Sequence, residues 1–117
     1  TKQEEIEKER SEYFLSLKKL EELLTKRKKG EWEKFLSFLS NNNFDEAVLS
    51  RQLSSLASLV GGDSYSEMYW DIKMLGLIKA AEKNSGVVKE HLDKLLKDKN
   101  IKPFALKRVA DIYKILF

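Results

Sequence analysis

The sequence predicts an all-α fold, a compact bundle of five to six helices in a single domain. Three observations carry that expectation. Apolar residues recur at helical spacing along most of the chain. No stretch alternates with period two for long enough to make a strand. One proline and five glycines leave long stretches free of helix breakers. The 117 residues suffice for one domain with a modest core. With 42% apolar and 35% charged residues, the composition is globular rather than disordered.

The first predicted helix covers 3–28, with Ile6, Tyr13, Leu17, Leu20 and Leu24 on its apolar side, joined by Phe14 and Leu23. Acidic residues crowd its start and basic residues its end, as the helix dipole prefers. Gly30 is expected to stop it. A short second helix, 31–40, turns Trp32, Phe35, Leu36 and Leu39 inward. Asn43 with Glu46 suggests the cap of a third helix reaching Val60, whose buried side is Leu49, Leu53, Leu56, Leu59 and Val60. Gly61-Gly62 ends it, and Ser64-Tyr65-Ser66-Glu67 has the form of a capping box. The fourth helix, 65–83, is expected to bury Met68, Ile72, Leu75 and Ile78. Asn84-Ser85-Gly86 breaks the pattern, with Ser85 as cap of a fifth helix over 87–97. Pro103 suits the first turn of a sixth helix with Leu106, Val109, Ile112, Tyr113 and Leu116 facing the core.

Charge is uneven along the chain although its net value is only +3. Residues 1–72 hold 11 basic and 14 acidic groups, whereas residues 73–117 hold 11 basic and 5 acidic. That asymmetry suits a polyanion touching one face, and equally a set of solvated helix faces. There is no cysteine, which removes disulfides, thiolate zinc sites and cysteine nucleophiles. No apolar run approaches the roughly 18 residues of a membrane span. No signal peptide is visible, so a cytoplasmic location and no membrane partner are expected. The chain lacks a starting Met and opens inside a helical pattern, which suggests a fragment of a longer protein.

Catalytic signatures are missing. His91 is the only histidine and reads as a solvated or partly packed helix residue, so no protein-ligated metal is expected. Neither a P-loop, nor a G-x-G-x-x-G, nor a nucleophile with triad context is present. The domain is not expected to be an enzyme by itself. Binding is the alternative, and two clusters suggest it. Tyr69, Trp70 and Lys73 follow the glycine junction and cannot all face inward with the Met68–Ile78 stripe. Ser64 and Tyr65 open the same helix, whose first amides and dipole form a natural phosphate seat. Lys102, Lys107 and Arg108 surround Phe104, which supplies charge for phosphate beside a ring for stacking. Arg51 and Gln52 precede the glycine junction and are expected to line the same surface. The run from Lys26 to Lys29 either holds phosphates or balances the carbonyl end of the first helix.

A helical module of this size, rich in Lys, Ser, Leu and Ile, with a glycine-broken helix pair at its centre, resembles the helix-bundle domain of archaeal plasmid primases. It is also similar to the small X subunit of crenarchaeal primases. The resemblance is one of length, composition and helix order. It implies a DNA-replication role in which the bundle binds nucleotide and single-stranded DNA template during primer initiation. A catalytic prim-pol domain would act beside it, in cis or in trans. The implied ligand is ATP or another nucleoside triphosphate, alone or with Mg. Arg51, Tyr65, Tyr69, Trp70, Lys73, Lys107 and Arg108 are the positions matching that role. Two other readings stay open. One is a winged helix for double-stranded DNA, with 64–77 as recognition helix and 79–88 as wing. The other is a helical protein-interaction subunit whose acid-rich first helix reaches a partner.

Overall fold

A computed structural model describes residues 1–41, 44–60 and 65–117, and among these the chain forms six helices and no strand. They are α1 (Lys2–Arg27), α2 (Lys29–Ser40), α3 (Glu46–Val60), α4 (Tyr65–Ala81), α5 (Ser85–Leu96) and α6 (Pro103–Leu116). Asn43, Gly61, Gly62, Ser64 and the side chain of Tyr65 lie outside the described residues, so the cap and phosphate seat expected there do too. The wing expected at 79–88 is not formed. Its first residues belong to α4 and its last to α5, because the Ala, Lys and Glu there favour continued helix.

Local signals differ from expectation in four places. The break between α1 and α2 falls at Lys28, with φ −137° and ψ 43°, and Gly30 lies inside α2. Thr1 caps α1 by accepting from the Glu4 amide at 3.2 Å. The helix α3 is capped by Asp45, whose carboxylate accepts from the Ala47 and Val48 amides at 3.0 and 3.1 Å. Asn84 rather than Ser85 caps α5, accepting from the Val87 amide. Pro103 does open α6, where its fixed φ and missing N–H cost nothing.

Helix α4 packs against every other helix of the bundle. The stripe expected on it is therefore too narrow. Ile72, Lys73, Met74, Leu75, Gly76 and Leu77 are consecutive and all buried, whereas Met68 and Ile78 are half-buried. A helix surrounded by neighbours needs apolar residues all round, and this one has them. Gly76 is the point of closest approach. A Cβ built there would meet the Phe35 ring at 2.6 Å and Leu39 at 2.9 Å, so α2 rests directly on the α4 backbone.

The remaining helices bury one side each. Leu17, Leu20 and Leu24 of α1, Trp32, Phe35 and Leu39 of α2, and Leu49, Leu53, Leu56 and Ala57 of α3 form one cluster with Val88, Leu92, Val109 and Ile112. Ile6, Leu59 and Leu106, expected in the core, are exposed. Ile6 lies on the first two turns of α1, where every residue from 2 to 9 is exposed. No helix among the described residues is long and apolar enough to cross a membrane.

Candidate nucleic-acid interface

Ser85 at the start of α5 and Leu116 at the end of α6 line one cavity with Ile78 and Ala81 late in α4, whereas Arg108 early in α6 reaches Glu67 early in α4. Consequently the α5–α6 turn lies at the end of the bundle where α4 begins. Arg108 of α6 reaches Asp71 of α4 at 3.1 Å, and its Nη1 donates to the Glu67 carbonyl at 3.1 Å. Asp98, just beyond α5, acts electrostatically on Lys73 of α4. The two clusters read from sequence, 69–73 and 102–108, thus share one end of the molecule. Gln52 lies elsewhere, against α2. Arg51 is exposed on α3, and Gln52 faces Lys34 and Phe35 of α2 across a cavity of about 140 Å³.

Local chemistry explains the shape of the α5–α6 turn. The Asp98 carboxylate accepts from the Asn100 amide at 2.9 Å, Ile101 is half-buried, and Pro103 fixes the start of α6. Lys97, Lys99 and Lys102 then project outward with Lys94, all exposed. None of the four has an ion pair among the described residues, where Lys79 and Arg108 each have two and Lys107 has one. No side chain caps the first-turn amides of α6.

Lys73 corrects the expectation of an exposed Tyr–Trp–Lys surface. It is only 3% exposed, and its ammonium sits 5.1 Å from the centre of the Trp70 ring. Burial lowers its pKa, and Glu46 and Asp98 pull it partly back. Its stem fills the core beside α5, so its charge is not available at the surface. Tyr69 and Trp70 are half-buried, meeting edge to face with centroids 6.0 Å apart. Each packs against the core and keeps part of its ring at the surface.

The phosphate clamp expected from Lys107 and Arg108 is also engaged elsewhere. Lys107 pairs with Glu9 of α1 at 3.1 Å. Arg108 lies between two rings, its guanidinium carbon 5.7 Å from Tyr13 and 5.2 Å from Phe104. The Tyr13 hydroxyl donates to the same Asp71 oxygen at 3.0 Å. Burial raises the Asp71 carboxyl above the usual range even though Arg108 and Tyr13 oppose it. The same burial and the Asp71 charge push the Tyr13 hydroxyl far upward. Sequence reading missed this trio, because pairing across three helices leaves no local pattern.

His91 is buried rather than solvated. It is 7% exposed, stacks on Phe44 with centroids 4.9 Å apart, and its Nε2 has no hydrogen-bond partner among the described residues. Burial first, then the charges of Lys73 and Lys94, bring its pKa down to about 4. The Lys26 to Lys29 run lies at the α1–α2 junction, with Lys29 beside Glu33 at 3.9 Å. Comparison with family models, curated proteins and solved structures finds no match to this chain.

Proposed function

We propose that this domain is a non-catalytic module that binds single-stranded nucleic acid and nucleotide phosphates at the α5–α6 end of the bundle. The observation that carries the reading is the set of exposed lysines at 94, 97, 99 and 102, which have no ion pair among the described residues. Most binding free energy for a phosphate backbone comes from such cations, through released counterions. On α4, Trp70 and Tyr69 are half-buried, and a partly open ring suits a stacked base. Lysine serves here as a point charge rather than a bidentate clamp. This surface keeps Lys102 from the set the sequence suggested, whereas Lys73 of that set is buried and Lys107 and Arg108 are paired with acids.

Holding template and a nucleoside triphosphate such as ATP beside a catalytic prim-pol domain is the role that the primase resemblance implies, and the lysine turn suits it. A titration of the labelled protein with a short dT oligonucleotide tests the reading. Amide signals at 94–104 and 69–73 should move together at low salt. An unchanged spectrum at millimolar oligonucleotide rejects it.

A further inference from the structure

A second feature at the same end is the groove between α1 and α6, a cavity of about 270 Å³ lined by Glu9, Tyr13, Phe104, Lys107, Arg108 and Asp111. Its size is just under the roughly 300 Å³ at which small-molecule sites begin. Its walls are flat. The Arg108 guanidinium carbon stands 5.7 Å from the Tyr13 ring and 5.2 Å from the Phe104 ring, and nucleobases stack on planes of both kinds. Its polar edge combines carboxylates with cations. We propose that this groove is a nucleobase pocket selective for guanine, in which the Asp111 carboxylate accepts from the N1–H and 2-amino groups of the base. The proposal rests on the reading that this end of the bundle meets nucleotides.

The choice of base follows from hydrogen-bond chemistry. A carboxylate only accepts. Guanine presents two N–H donors side by side on its Watson–Crick edge. Adenine and cytosine set a ring-nitrogen acceptor next to their amino group, and thymine sets a carbonyl on each side of one N–H. Guanine alone therefore meets both oxygens of a carboxylate with donors, whereas each other base offers one donor flanked by an acceptor. The other edge of guanine carries two acceptors, O6 and N7, which suit a basic side chain. Lys107 and Arg108 line the groove and supply that basic edge. Arg10 Nε sits 3.7 Å from Asp111, too long for a full hydrogen bond, so the carboxylate retains bonding capacity. Asp111 rather than Glu9 is the selecting group, because its side chain is 16% exposed against 61%.

Titrating the full chain with GMP, AMP and IMP tests the pocket. GMP should bind about tenfold more tightly than AMP. IMP, which lacks the 2-amino group, should also bind about tenfold more weakly than GMP. Asp111→Asn should abolish the GMP preference. Should that variant fail to fold, the GMP–IMP comparison on the natural chain decides. Equal affinity for GMP, AMP and IMP, or a preference that survives Asp111→Asn, overturns the proposal. Oligonucleotides separate the two sources of the base and the two readings. Binding of oligo-dT that gains nothing from one dG substitution, together with equal affinity for GMP, AMP and IMP, overturns the pocket and leaves the lysine turn intact. A GMP preference without any oligonucleotide binding supports the pocket as a free-nucleotide site and removes the single-strand reading.

Discussion

The Arg108 guanidinium meets the Asp71 carboxylate at 3.1 Å, with the Tyr13 hydroxyl on the same oxygen. One carboxylate thereby ties α6, α4 and α1 together where the surface of the bundle closes. Its side chain is 22% exposed, so the pair is worth more than an open surface ion pair and less than a sealed one. Arg108→Met leaves Asp71 without its counter-charge and should cost about 2–3 kcal/mol of stability. Asp71→Asn combined with Arg108→Met should cost less than the two single changes together, with a coupling of about 1–2 kcal/mol. Denaturant unfolding of the four proteins measures it. A coupling near zero would show that the contact contributes nothing.

Gly76 gives a packing test. Alanine is favoured over glycine in a helix by about 1 kcal/mol. At this position its Cβ would stand 2.6 Å from the buried Phe35 ring and 2.9 Å from buried Leu39. Overpacking of this kind costs about 1–3 kcal/mol and should outweigh the helix gain. Gly76→Ala should therefore lower Tm. A raised Tm would mean that α2 moves aside freely.

Two buried bases make stability depend on pH at opposite ends of the scale. His91 titrates near 4 when folded and near 6.5 when unfolded. The unfolded chain takes up the proton first, so stability falls as pH drops below 6.5 and goes on falling to about 4. Lys73 is held below the ordinary lysine value of 10.5. There too the unfolded chain keeps more protons, so stability rises with pH until that value is passed. His91→Phe should flatten the acid limb between 6.5 and 4, and Lys73→Met the alkaline limb. Unchanged slopes in urea titrations across these ranges would contradict the burial of either group.

The six helices were legible because each outer helix buries one side, and a one-sided pattern is what periodicity detects. Leu17, Leu20 and Leu24 show it plainly. Helix α4 was found but misread. Its central position makes it apolar on all sides, so choosing one stripe left Met74 and Leu77 out and put Lys73 at the surface. The run without a polar residue from Met74 to Ile78, with Ile72 before it, was the available signal. Asp45, standing directly before Glu46, was an equally available cap. The Tyr13–Asp71–Arg108 contact was not legible, since nothing local in any of the three helices marks its partners. Both site clusters were found as sequence features. Which of their cations remain unpaired depended on the acids that folding set opposite them.

The most direct measurement is the affinity of the protein for a short oligo-dT across a range of salt concentrations. If the four turn lysines each meet a phosphate, log K should fall against log salt with a slope of about −3. Reversing charge at Lys97, Lys99 and Lys102 together should remove most of the affinity and nearly all of that slope, with helicity and Tm kept. Absence of binding at low salt, or a triple variant that binds like the natural chain, would contradict the account.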